Sequence, residues 1–200
     1  MTVIGVTGHR DLKQEYLLYY EKQVHNLLVE LKNKHTKVVI YSPLSDGTDR
    51  LVVKEGIKLG ISFIVVLPMP KGKYEIDFDD DSLKEFKRLL NQAQKIISMP
   101  LLEDNTLDDI SSYSKQRDLQ YEACGQYIAN QCDSLIALWD KKQIGLVGGT
   151  GEIVKYYLET KNYTLYHLLV FRSKNQKNIV VECDLYNSES LANSHKKLII

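Results

Sequence analysis

The sequence predicts an α/β domain, a mostly parallel sheet of about seven strands with helices on both faces. Three observations carry this. Short apolar runs alternate with longer stretches of helical period through at least five units, the pattern that parallel strands with crossover helices produce. Those short runs are apolar throughout rather than alternating, as strands covered on both faces are. Several of them end in turns rich in glycine, serine and aspartate, and in open α/β sheets such turns collect at the carboxyl edge, where ligands bind.

Taken in order, residues 2–7 are apolar and β-branched, suit a buried first strand, and run into Gly8-His9-Arg10. Gly8 allows close approach of a ligand, and Arg10 offers a fork of donors to a phosphate. Residues 12–34 read as one long helix, with Tyr16, Tyr20, Val24, Leu27, Leu28 and Leu31 on a single stripe. A second strand over 37–41 leads into Ser42-Pro43-Leu44-Ser45-Asp46-Gly47-Thr48-Asp49-Arg50. Ser45 or Asp46 can cap the helix that follows, and Asp49 lies in its first turn. For these carboxylates capping and ligand binding are equally good readings. That helix stops at Gly60, and 61–67 forms a third strand.

Asp77, Asp79, Asp80 and Asp81 crowd the next connection. They lack the central glycine and closing glutamate of a calcium loop, so they read as a solvated loop and the acidic start of a helix over 82–94. A short strand follows at 95–99, then a polar loop, then a helix over 113–130. On that helix Tyr113, Arg117 and Tyr121 share one face, an arrangement suited to a phosphate beside a base. A fifth strand, 133–139, precedes the stretch around which the chain is organised, Val147-Gly148-Gly149-Thr150-Gly151-Glu152-Ile153-Val154-Lys155. A strand, a glycine turn and a helix start together present unpaired N–H groups and a partial positive charge to an anion. The same glycines also fit an ordinary tight turn. Further strands are expected at 164–171 and 178–183. Residues 1–183 thus read as one nucleotide-binding domain, and 184–200 as a polar tail or linker.

Composition narrows the functional classes. Lys plus Arg equals Asp plus Glu, giving zero formal charge, which disfavours nucleic acid as a partner because non-specific binding wants a basic face. No apolar run approaches the roughly 20 residues that span a bilayer, and there is no signal-peptide pattern. Three scattered cysteines then read as reduced thiols of a cytoplasmic protein. The five histidines form no zinc or nucleophile–base pattern, so neither a metal nor a cofactor is expected.

The ordered blocks 5–10, 42–51, the Leu67-Pro68-Met69-Pro70 turn with Tyr74 and Asp77-Phe78, Tyr121 with Gly125, 132–140 and 148–151 resemble the SLOG superfamily. Its members are Rossmann-like nucleotide-binding domains related to the LONELY GUY phosphoribohydrolases, to the DNA-uptake protein DprA and to the sensing domains of TRPM channels. The nearest resemblance is to the branch found in bacterial anti-phage systems, often fused to effector domains. It implies a sensor for a nucleotide-derived second messenger, a cyclic oligonucleotide or an ADP-ribose derivative, working as a homo-oligomer such as a dimer. The implied ligand contacts are Gly8, His9, Arg10, Ser45, Asp46, Gly47, Arg50, Arg117, Tyr121, Gly148, Gly149, Thr150, Gly151 and Glu152. Arg10, Arg50 and Arg117 would hold phosphate, and Asp46 or Glu152 ribose hydroxyls.

The alternative is a nucleoside 5′-monophosphate N-glycosidase with Glu152 and Arg117 catalytic. Against it, the catalytic glutamate of the phosphoribohydrolase motif falls on Lys155, which cannot serve as a carboxylate acid or base.

Overall fold

The computed structural model describes residues 1–142, 145–160, 164–173 and 183–186, the last group as backbone. The chain alternates as the apolar runs require. Strands β1 (Thr2–Gly8), β2 (Val38–Ser42), β3 (Ser62–Leu67), β4 (Lys95–Ser98), β5 (Ser134–Trp139) and β6 (Thr164–Leu169) are joined through helices α1 (Leu17–Lys34), α2 (Thr48–Lys58), α3 (Lys71–Tyr74), α4 (Asp80–Leu90), α5 (Lys115–Gln131) and α6 (Thr150–Thr160). These six strands pair in parallel in the order β4-β3-β2-β1-β5-β6. The parallel sheet therefore has six strands, not seven. A four-residue segment, Cys183–Tyr186 (β7), pairs antiparallel on the outer edge of β6. The strand expected at 178–183 falls, apart from Cys183, outside the described residues, as does the expected tail beyond Tyr186.

Strand side chains alternate between two faces. Ile4, Val6, Val65, Ile136 and Leu138 pack with Tyr20, Val24 and Leu28 of α1, Val52 of α2 and Phe86 of α4. Their neighbours in sequence point the other way. Leu135 and Ala137 meet Val154 and Tyr157 of α6, and Val66 meets Cys124 and Ile128 of α5. Helices thus cover both faces.

The strand order has one consequence for function. From β1 the chain moves outward through β2, β3 and β4, then returns to place β5 on β1's other side. The connections after β1 and β5 diverge at this switch point and leave a crevice outside the carboxyl ends of the two strands.

Two segments depart from the sequence expectation. The first helix begins at Leu17 rather than near residue 12. The Lys13 N–H donates to the Phe171 carbonyl at 2.8 Å and Leu12 bridges Arg172, so this stretch is strapped to the segment after β6 before a 3₁₀ turn, Gln14–Tyr16, admits the helix. In the acidic connection, Asp79 caps α4 by accepting from the Ser82 N–H at 2.9 Å, with Asp80 and Asp81 in the first turn. Asp77 is not solvated as expected: its side chain is 3% exposed, and it organises the site.

Candidate functional site

Three turns meet above the crevice. The His9 N–H donates to the Leu138 carbonyl of β5 at 3.1 Å, and the His9 carbonyl accepts from both the N–H and the Oγ1 of Thr48. The turns after β1 and β2 are thereby fused. Gly47 is what permits it. Its φ is +70°, and a Cβ there would stand 2.3 Å from the Arg10 carbonyl oxygen, a separation no side chain tolerates. The turn after β5 is held likewise. Gly148 has φ +72° and lies on the backbone of α5, where a Cβ would come within 2.9 Å of the Asp118 oxygen and the Glu122 nitrogen. His9 Nε2 stands 2.9 Å from Asp140 Oδ1, joining the β1 turn to the end of β5. Burial lowers the imidazole pKa despite the opposing pull of Asp140, and the Asp140 N–H also reaches Nε2, at 3.2 Å.

The convergence encloses two cavities that share Gly8, Arg10, Leu146, Gly148, Gly149 and Thr150. The first, about 290 Å³, is bordered by the glycine turn, Glu152, Lys142, Asp11 and Arg172. At its edge α6 begins. The Gly149 carbonyl accepts the Glu152 and Ile153 amides at 3.1 and 3.2 Å. The Thr150 and Gly151 amides find no acceptor among the described residues, as the first amides of a helix do. Two donors in line, with the helix dipole behind them and Arg10, Lys142 and Arg172 around them, suit an anion.

The second cavity, about 300 Å³, has Ser45, Asp49, Tyr74, Tyr113, Tyr121, Cys124 and Ile153 in its walls. Asp49 is 4% exposed. Burial pushes its carboxyl up to about 7, against the pull of Arg10 and of the Ser45 amide, which donates to Oδ2 at 3.1 Å. The Ser45 hydroxyl is buried and unpartnered.

Behind Arg10 and Tyr121, which line the second cavity, lies a bonded network centred on Asp77. Its Oδ1 accepts from Arg117 at 2.6 Å, and its Oδ2 accepts from the Tyr121 hydroxyl and from Arg10 at 3.3 Å. Arg10 also stacks over the Tyr121 ring, 5.4 Å from its centroid, with its side chain 42% exposed.

Of the expected ligand residues, the structure brings Gly8, His9, Arg10, Ser45, Tyr121 and Gly148 to Glu152 to the cavity walls. It does not bring Asp46, Gly47, Arg50 or Arg117 there. Arg50 is buried over the Phe78 ring and donates to the Leu44 carbonyl, Ser82 and Glu85. It ties α2 to α4. Asp46 is engaged by Arg50 at 2.8 Å and by the Ser82 hydroxyl. Arg117 is 2% exposed and donates to the Ile110 and Lys73 carbonyls as well as to Asp77. Tyr113 is 89% exposed and precedes the helix, so it does not share a helical face with Arg117. Lys155 is exposed on α6.

The sequence reading missed Asp11, Lys142 and Arg172. Arg172 follows β6, and the rule that points to the ends of β1 and β5 points there too. Its Nε donates to Asp11 Oδ1 at 2.8 Å.

No family model matches the chain, and no curated protein matches it. Solved structures do. The DNA processing protein DprA from Streptococcus pneumoniae superposes with a TM-score of 0.55 at 18% identity, covering 84% of this chain and 50% of that one. DprA from Helicobacter pylori gives 0.50 at 15% identity, covering 83% and 64%. At these identities the likeness is one of fold: the chain has a DprA-like Rossmann architecture and spans one half to two thirds of those chains. The Helicobacter pylori structure concerns single-stranded DNA binding by that protein. The expectation that nucleic acid is disfavoured, drawn from zero net charge, does not fit that neighbour.

Proposed function

We propose that this chain is a nucleotide-binding module that seats a phosphate at the N-terminus of α6 and the sugar and base in the adjoining tyrosine-walled cavity. One observation carries the reading. The turns after β1, β2 and β5 converge at the switch point, and the Thr150 and Gly151 amides, without an acceptor among the described residues and with Arg10 and Arg172 beside them, border a cavity of about 290 Å³ that shares Gly8, Arg10 and the glycine turn with a second. Arg10 is the cation that turns to the ligand, and Asp77 keeps Arg117 and Tyr121 as partners when it does.

The finer reading, a sensor for a cyclic oligonucleotide or ADP-ribose derivative in bacterial defence acting as a homo-oligomer, follows the SLOG resemblance. Calorimetry against mono-, di- and cyclic nucleotides tests it. Micromolar binding of a cyclic or ADP-ribose probe with a change in sedimentation supports the sensor, and no heat with any nucleotide contradicts the module itself. The hydrolase alternative places Glu152 at the phosphate end, away from a base in the second cavity. Chromatography showing free base from nucleoside monophosphates, lost in Glu152→Gln, would establish it. The fold likeness to a single-stranded-DNA-binding protein favours one further arm, a mobility shift with single-stranded DNA at physiological salt.

A further inference from the structure

We propose that Asp49 and Ser45 form a ribose-reading pair, which makes the ligand a ribonucleotide rather than a deoxyribonucleotide or DNA. The proposal rests on the nucleotide reading above and names its substrate class.

Two independent observations meet at one place. Ser45 is 7% exposed, its hydroxyl has no partner among the described residues, and the residue lines the second cavity. A buried polar atom without a partner is costly unless something supplies one. Asp49 lines the same cavity, 4% exposed, with Oδ2 taken by the Ser45 amide and Oδ1 bonded to no described group. Of the other acidic side chains nearby, Asp46 is engaged by Arg50 and Ser82 and Asp77 by Arg117, Tyr121 and Arg10, while Asp118 lines the cavity from α5, beside the glycine turn rather than beside Ser45.

A nucleotide whose phosphate sits at Thr150 and Gly151 lays its sugar over the residues that border both cavities, Gly8, Arg10 and Gly148 to Thr150, and so onto the second. A carboxylate oxygen there accepts from a ribose hydroxyl, and the Ser45 hydroxyl, covered in this structure, completes the pair by turning about its Cα–Cβ bond toward the sugar. A 2′-deoxy sugar leaves one of them unpartnered.

The charged and titratable groups around Asp49 set the proton linkage. They are Arg10 from the β1 turn, Asp46 from the β2 turn, Arg50 on its own helix, Tyr74 from α3 and Cys124 from α5. In the empty site burial dominates and holds the carboxyl at about 7. A hydroxyl donated to the ionised form lowers that value, so binding releases a proton near neutral pH.

Calorimetry with AMP, 2′-deoxy-AMP and inorganic phosphate tests this, on wild type, Asp49→Asn and Ser45→Ala. Wild type is expected to bind AMP at least tenfold more tightly than 2′-deoxy-AMP. Asp49→Asn should shrink that ratio to about twofold while leaving inorganic phosphate affinity unchanged. In buffers of different ionisation enthalpy at pH 7, wild type should release about half a proton more than Asp49→Asn on binding AMP. Melting curves verify that the variants fold. Equal affinity for AMP and 2′-deoxy-AMP, with phosphate still competing, would overturn the ribose pair and leave the nucleotide site standing. A preference that persists in both variants would do the same. Failure of both AMP and inorganic phosphate to bind would overturn the nucleotide reading as well.

Discussion

The two cavities are neighbours built by opposite means. The first is made of backbone: a glycine turn pressed onto α5, two free amides and cations at the rim. The second is made of buried side chains, Asp49, Ser45, Tyr74 and Tyr121, near two further buried arginines, Arg50 and Arg117, whose bonds serve the fold rather than a ligand. A backbone cradle selects for charge, because amides and a helix dipole read only an anion. A side-chain pocket selects for shape and hydrogen-bonding edge. Substitutions should therefore separate affinity from specificity according to which cavity they touch.

The largest effect is expected from removing the network centred on Asp77. Asp77→Ala leaves Arg117 buried without its carboxylate, a loss on the order of 3–5 kcal/mol. In a domain of this size that lowers the melting temperature by about 10 °C, measured by calorimetry. A change below about 2 °C would show that the network is not structural. Next, Gly148→Val forces an L side chain into φ +72° and against α5. Phosphate and AMP binding should both fall by more than a hundredfold, because the turn that presents the amides no longer closes. Retained phosphate binding would separate the amides from the turn.

Arg172→Ala should be gentler, weakening phosphate and AMP alike by about tenfold and flattening their salt dependence, since it removes a rim cation and frees Asp11. An effect on AMP alone would move Arg172 to the second cavity.

The last effect is on how stability depends on pH. The Asp49 carboxyl is ionised above about 4 in the unfolded chain but only above about 7 when folded. The folded state holds the extra proton between those values, so stability falls as pH rises through that window and is level above it. Asp49→Asn removes the penalty. Its melting temperature should exceed wild type by several degrees at pH 8, with the difference shrinking toward pH 4. A pH-independent difference would mean the carboxyl is not held near 7.

The first cavity was legible in the sequence, and the second largely was not. Gly8, Arg10 and the Gly148 to Glu152 stretch follow apolar runs directly, and a strand end followed by a glycine turn is a local signal. The crevice itself followed from the alternation of strands and helices. The fates of Arg50 and Arg117 were not local. Arg50 is fixed by Ser82 and Glu85, more than thirty residues away, and Arg117 by Asp77, forty away. Helical spacing placed Arg117 beside Tyr121 but could not say which partner would claim it. The acidic stretch misled in one position only. Asp79, Asp80 and Asp81 start a helix as their sequence suggests, while Asp77 turns inward because two arginines and a tyrosine converge on it. Asp49 was visible only as a first-turn helix residue, since its burial depends on α3 and α5 packing over it.

The central claim is that backbone amides at the start of α6 grip an anion. Amide nuclear magnetic resonance of the labelled chain, titrated with inorganic phosphate and then AMP, tests it most directly. Downfield shifts of the Thr150 and Gly151 amide protons, saturable and abolished in Gly148→Val, are the predicted result. Shifts confined to other residues, with Thr150 and Gly151 unmoved at saturation, would contradict it.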